Sequence, residues 1–149
     1  MPQLADNLKI RLSSVGEPVI NTQAPTQSSG VINPDELKIL FKVSVEINRP
    51  ESKVNIVVAM DYMMGQEKMF SGSLTTGFDV VGLASFITTA EGEDTFRIEN
   101  DFLPMLISIA FSTTRGYFVR ELVGTVLEPY PFPMIPMESI KKRTSFQLI

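Results

Sequence analysis

Residues 37 to 63, LKILFKVSVEINRPESKVNIVVAMDYM, decide the fold of this chain. From 36 to 48, apolar and polar side chains alternate with a period of two, which predicts a β-strand with one apolar face. The alternation resumes from 53 to 63, and the NRPES between the two runs predicts a turn. The apolar faces consist of Leu37, Ile39, Phe41, Val43, Val45 and Ile47 on the first strand and Val54, Ile56, Val58, Met60 and Tyr62 on the second.

Two further strands are predicted outside this pair. Residues 8 to 12, LKIRL, alternate, with EPVI at 17 to 20 either continuing this strand or pairing elsewhere, and residues 68 to 81 place apolar side chains on one side. Gly72 and Gly77 weaken the latter strand and indicate a bulge. The last three strands are joined by short turns, which favours antiparallel neighbours. A long polar connection, residues 21 to 35, separates them from the first strand.

A long helix is predicted at residues 102 to 123, with Asp101 able to cap it and Pro104 in its first turn. It carries two apolar stripes, which predicts that two of its faces are buried. One stripe is Leu106, Ile109, Ala110 and Tyr117, and the other is Ile107, Phe111, Phe118 and Leu122. We expect Met60 on the second strand and Met105 on the helix to fill gaps in the core.

Small residues on the helix indicate that another backbone can approach it. Ser108, Ser112 and Gly116 lie at spacings of four, so they share a face. The sequence therefore predicts self-association through this helix, although a kink at Gly116 in a buried helix is the alternative. The candidate interface residues are Ile107, Ser108, Phe111, Ser112, Gly116 and Phe118.

Together these elements predict an α+β fold in which a four-stranded antiparallel sheet has a long helix packed on one face. A length of 149 residues suits one domain, spanning 1–149. The net charge of −4 argues against nucleic acid as the partner. No signal peptide or membrane span is recognisable, so a cytoplasmic location without membrane insertion is expected.

Catalytic signatures are not recognisable in the sequence. Cysteine and histidine are both absent, which removes the thiolate nucleophile, the commonest general base and the commonest zinc ligand. No glycine-rich phosphate loop follows a strand. We therefore expect neither enzyme activity, nor a metal, nor a cofactor.

The most unusual stretch is EPYPFPMIPM, residues 128 to 137, which we call the proline segment. Its four prolines exclude helix and favour an extended backbone. Large apolar side chains alternate with these prolines. The segment therefore either packs into the core, contacts another subunit, or lines an apolar groove for a ligand.

The order of elements resembles that of the SecB family of export chaperones. The local likeness lies in GTVLEPYPFPMIPMESI, residues 124 to 140, which resembles that family's Gly-Thr-Phe-Pro segment and the Leu-x-Pro-Val-Asn-Phe stretch after it. The resemblance implies a four-stranded sheet, a crossover loop at residues 18 to 36, a long helix and a proline-containing loop. It also implies a second helix, which the ending KKRTSFQLI leaves short or absent.

The resemblance further implies an ATP-independent holdase for unfolded or nascent polypeptides, assembled as a dimer of dimers. Its client grooves would be lined by the crossover loop and the helix-connecting loop. Carried onto this chain, the substrate-binding residues would be Val31, Ile32, Tyr130, Phe132, Met134, Ile135 and Met137.

Several functional alternatives stay open at this stage. Protein export with delivery to the SecA motor is one role within the resemblance, and service to an antitoxin is another. An oligomeric adaptor with one dedicated protein partner is the alternative to a general holdase. A small-molecule hydrolase or binding protein is a third class.

Overall fold

The computed structural model describes residues 9–26, 32–89, 96–98 and 102–149. The predicted capping residue Asp101 and the groove residue Val31 lie outside these ranges. The strands are β1 (Lys9–Val15), β2 (Val19–Thr22), β3 (Leu37–Asn48), β4 (Lys53–Met64), β5 (Glu67–Val81), β6 (Ile87–Thr89), β7 (Phe96–Ile98) and β8 (Thr144–Leu148). The helices are α1 (Leu103–Glu121) and α2 (Met137–Lys142), with a short 3-10 turn at Leu83–Phe86.

The main sheet is larger than predicted, and the expected four-stranded antiparallel sheet is wrong. Within the described ranges it has six strands in the order β1-β5-β4-β3-β8, with β2 also pairing β5. Strand β8 runs parallel to β3, so the sheet is mixed. The α+β class and the single long helix on one face are as predicted.

The central hairpins follow directly from the alternation in the sequence. Strands β3 and β4 pair antiparallel without a register shift, from Leu37 opposite Met64 to Asn48 opposite Lys53. Their predicted apolar faces point the same way, because residues opposite each other share a face of the sheet. Between them, Ser52 takes a positive φ of 54° in the turn.

The long connection begins with a strand, β2, which includes the last two residues of the EPVI stretch and lies where the resemblance implied a loop. Residues 18 to 36 were expected to form a crossover loop, but β2 lies within them and continues the edge begun by β1. The chain then crosses to β3, on the far side of β4. Both β1 and β2 shift register against β5, between Leu12 and Ser14 and between Ile20 and Thr22.

These two register shifts lie beside the glycines that predicted a bulge. Ser14 pairs with Gly77, and a Cβ added at Gly77 would lie 2.6 Å from the Ser14 hydroxyl oxygen. Ile20 pairs with Gly72. The irregularities therefore occur in the edge strands, where the missing glycine side chains leave room for the side chains of Ser14 and Ile20.

Helix α1 covers the sheet and shares a core with it. Pro104 lies in its first turn, as predicted. Phe118 stacks edge-on against Phe70 of β5, with ring centroids 5.4 Å apart. A Cβ on Gly72 would lie 3.0 Å from the Phe118 ring, so glycine at this position permits the packing.

The C-terminal residues return to the sheet after α1. The proline segment leads into α2, which is six residues long and is thus the short second helix that was expected. The last residues then form β8 on the edge of β3. The sequence did not predict this strand, because five residues after a basic run carry little periodic signal.

Candidate functional site

The proline segment is anchored to the core through Phe132. This ring is 3% exposed and lies edge-on to Phe41 of β3 and Phe111 of α1, with centroid distances of 6.0 and 5.4 Å. A few residues earlier, the Tyr62 hydroxyl donates a hydrogen bond of 2.9 Å to the carbonyl oxygen of Tyr130. The segment is thus held on the sheet at two points.

Burial raises the pKa of the Tyr62 phenol above its ordinary value, because the charged form would lose hydration in the core. The phenol therefore stays protonated and keeps its role as hydrogen-bond donor. This hydrogen bond holds the backbone of the proline segment at Tyr130.

The other side of the proline segment is open. Met134 is 84% exposed, the largest fraction among the exposed large apolar residues of the described chain. Tyr130, Ile135 and Met137 are half-buried against the core. Of the predicted substrate-binding residues here, Phe132 lies inside the core and Met134 lies on the surface, and the remaining three lie between these extremes.

The crossover connection is tied to the chain that follows α1. The Val126 amide donates to the Pro25 carbonyl at 2.9 Å, and Thr26 forms a β-bridge with Thr125. Ile32, predicted to line a groove, is half-buried and packs against the core. The connection and the start of the proline segment therefore meet at the C-terminal end of α1.

The structure divides the predicted interface residues of α1 between two faces. Ile107, Phe111 and Phe118 are buried against the chain's own sheet. Ser108, Ser112 and Gly116 are exposed. Leu106, Ala110 and Leu122 are also buried, so most of the two predicted stripes form one broad sheet-facing surface.

Opposite this surface, α1 carries an exposed stripe that the prediction did not identify. Its members are alternately four and three residues apart, a spacing that keeps them on one side of a helix. We call it the outer stripe: Met105, Ile109, Ser112, Gly116 and Val119 on α1, and Val123 just beyond its last residue, Glu121. The expectation that Met105 fills the core was wrong, since its side chain is exposed, whereas Met60 is buried as expected.

The outer stripe has its smallest side chains at its centre. Ser112 and Gly116, with Tyr117 and Arg120 at the side, border a cavity of about 400 Å³. A Cβ added at Gly116 would meet no atom within 4 Å. Closer to the N-terminal end of α1, Met105 and Ile109 border a second cavity of about 580 Å³ together with Leu12 of β1. Another chain could pack closely against this face.

The described residues contain no group of three or more acidic side chains placed to hold a metal ion. None of the described helices combines the length and apolarity that a membrane crossing needs.

Comparisons with protein-family models, with curated proteins and with solved structures found no match. The chain's own geometry is therefore the basis for assigning its function. That geometry offers apolar surface at two places, the exposed side of the proline segment and the outer stripe of α1.

Proposed function

We propose that this chain is an ATP-independent holdase that binds unfolded polypeptides through apolar surface, and that it self-associates through the outer stripe of α1. One observation carries the holdase proposal. The proline segment, fixed by Phe132, holds Met134 84% exposed on a backbone that has little conformational freedom left to lose on binding. Flexible, polarizable methionine suits a surface that meets partners of many shapes.

The likeness to SecB, drawn from the sequence, is part of this proposal. The first strand lies beside the last strand of the β3-β4-β5 meander, a long helix crosses one face, and a proline-containing loop and a short helix follow. The added β8, the strand β2 and the small β6–β7 hairpin are differences from the simple arrangement that the resemblance implies.

Self-association is supported by the composition of the outer stripe. An exposed apolar stripe on a helix commonly marks an interaction surface. Small residues at the centre of the stripe would let two helices approach closely. The proposed assembly is an oligomer built on α1, with a dimer of dimers as the form that the resemblance suggests.

The holdase proposal is tested by light scattering of several unrelated unfolded proteins, without ATP. We expect suppression of aggregation for most of them. Met134→Glu should weaken suppression at least about threefold, since it places a charge on the client surface. Val81→Glu is the matched control, because Val81 is also more than half exposed but lies on β5 beside β1.

The outcomes separate the candidate functions. Suppression of a single substrate would favour the adaptor with one dedicated partner. No suppression of any substrate would rule out the holdase. Sedimentation of the wild type tests the assembly independently, and a monomer at micromolar concentration would contradict self-association through α1.

A further inference from the structure

The edge of β3 is covered along only half of its length. Strand β8 pairs with β3 from Val43 to Ile47. The burial of the core-facing side chains of β3 changes at the same point. Leu37, Ile39 and Phe41 are half-buried, whereas Val43, Val45 and Ile47 are buried. In the described part of the chain, no strand pairs with the edge from Leu37 to Phe41. We call these residues the open edge.

The backbone of the open edge has hydrogen-bonding groups that face outward. The Val43 amide donates to the Arg143 carbonyl, and the Ile47 carbonyl accepts from the Ile149 amide, so both groups point toward β8. Groups of alternate residues point to the same edge of a strand, and β3 has no register shift that would interrupt this alternation. The amides and carbonyls of Ile39 and Phe41 therefore point past the end of β8.

The flank of the open edge carries two lysines, although the whole chain is acidic. Lys38 and Lys42 lie on the exposed face of β3, opposite Met63 and Ala59 of β4. Neither lysine forms a salt bridge with another described residue. Arg143 lies on the other, core-facing side of β3, with its guanidinium carbon 5.5 Å from the centre of the Phe41 ring. Asp61 of β4 lies on the same face as the two lysines, opposite Leu40. Because β3 is the edge strand, the two lysines lie nearer to an added strand than Asp61 does, and they are complementary to acidic side chains on that strand.

We propose that the open edge binds an extended segment of a client polypeptide as an added strand, in line with β8. Alternate apolar side chains of that segment would lie on the core face near Phe41 and Phe132, and acidic side chains between them would face Lys38 and Lys42. The inference rests on the proposed holdase function for its partner class, and it adds a second mode of contact based on main-chain pairing. Strand β8 is the chain's own example of an extended segment bound at this edge.

A synthetic peptide, Glu-Val-Thr-Phe-Glu-Val-Thr, labelled with a fluorophore is the probe, and its anisotropy is measured with the full chain. The matched peptide is N-methylated at alternate amides, so it keeps its side chains but loses its donors on one edge. We expect N-methylation on the pairing edge to weaken binding about tenfold or more, as the loss of two or three hydrogen bonds predicts. Equal binding of both peptides would overturn strand addition.

The chain offers a matched pair of variants for the same test. Ile39→Pro removes an outward amide at a place where an edge strand tolerates proline. Ile39→Ala keeps the amide and removes more of the side chain than proline does, so lost side-chain packing alone would affect it more. We expect the proline variant to bind the peptide at least about fivefold more weakly than the alanine variant, since it alone removes a donor. Urea unfolding checks that both are folded, and the methylated peptide tests the proposal even if the proline variant is not.

Charge reversal in the peptide tests the basic flank. Replacing both Glu residues by Lys should weaken binding about threefold or more at low salt, and this difference should shrink as salt is added. The double variant Lys38→Gln, Lys42→Gln should bind the two peptides almost equally. A preference for the Lys peptide by the wild type would contradict the predicted acidic partner.

Failure of the edge site and failure of the holdase give different results. If the wild type suppresses aggregation but binds both peptides equally, the holdase stands and strand addition is wrong. If the methylation-sensitive binding is present without suppression, the edge binds strands and the holdase is wrong. If Ile39→Pro instead abolishes self-association and the wild type binds no peptide, the edge pairs with a second copy and the proposal is overturned.

Discussion

The proline segment and helix α1 are both rich in apolar residues, and each divides its side chains between core and solvent. On α1 the division follows the helical period, with Phe111 and Phe118 toward the sheet and Ile109 and Val119 away from it. In the proline segment it separates Phe132 from Met134, only two residues along the chain. Apolar character alone therefore does not distinguish a core contact from an exposed surface.

The physical reason lies in what is beneath each side chain. Phe132 finds two aromatic rings at edge-on distances, one on β3 and one on α1, which is a favourable arrangement for burial. Met134 lies beyond that contact and remains 84% exposed. If burial decides how much each side stabilises the fold, substitutions on the anchored side should lower the free energy of unfolding more than substitutions on the exposed side.

The largest expected effect is at Phe132. Phe132→Ala should lower the free energy of unfolding by about 3–5 kcal/mol, because it leaves a cavity between Phe41 and Phe111. The matched change Met134→Ala should alter it by no more than about 0.5 kcal/mol. Urea unfolding measures both. Equal stability of the two variants would remove the distinction between the two sides.

The second effect concerns two glycines on opposite sides of α1. Gly72 lies on β5 under the helix, and Gly116 lies on the exposed face of the helix. Gly72→Val should destabilise the chain by about 1–3 kcal/mol, because the new side chain would press on the Phe118 ring. Gly116→Ala should stabilise the helix by about 0.5–1 kcal/mol, since its surroundings within one chain are open. Thermal and urea unfolding measure the sign of the stability change for each variant.

The Gly116 variant also sharpens the proposal for the outer stripe. If two helices meet closely at Gly116, the added methyl group should weaken association while the folded subunit becomes more stable. Sedimentation over a range of concentrations separates these effects. An alanine variant that associates as tightly as the wild type would place the subunit contact elsewhere.

A smaller effect is expected at the second anchor. Tyr62→Phe should cost about 1 kcal/mol, because the Tyr130 carbonyl loses its donor. Burial raises the folded-state pKa of Tyr62, so the unfolded phenol ionises first, near its ordinary pKa of about 10. The wild type should therefore lose stability as the pH rises above about 10. Tyr62→Phe should lose less over the same pH range, and equal losses would contradict this assignment.

The smallest effect is expected at Thr76, in the middle of β5. Its side chain is fully buried, and its hydroxyl has no hydrogen-bond partner among the described residues. Thr76→Val keeps the shape and removes the unsatisfied group, so it should stabilise the chain by about 0.5–1 kcal/mol. Ser71→Ala is a contrasting change, since the Ser71 hydroxyl donates to Asp61 at 2.6 Å and its removal should destabilise. A destabilised Thr76→Val would indicate that the hydroxyl has a partner.

Prediction from the sequence succeeded where a strong period repeats. Strands β3, β4 and β5 and helix α1 were located within a few residues of their ends, because alternation and helical spacing report directly on a buried face. Strand β8 was missed, and β2 was anticipated only through its first two residues. Both are short, and both are held at sheet edges by backbone pairing, which leaves little trace in side-chain pattern.

The candidate site was predicted less well than the fold. The proline segment was recognised as unusual, but its pattern could not show that Phe132 would be buried while Met134 stayed exposed. The outer stripe could have been found from its spacing of four and three residues, from Met105 to Val123. It was hidden because two stronger stripes, most of whose residues face the sheet, dominate the helix.

The sequence by itself determined the hairpins from Leu37 to Val81, the long helix after them and the stiff backbone of residues 128 to 137. These follow from local periodicity and from the fixed φ of proline. Only the tertiary structure decided which apolar side chains are covered, and that β8 pairs with half of the β3 edge while no other described strand pairs with the rest. Burial and edge pairing depend on which distant elements arrive beside a residue, and no local pattern specifies that.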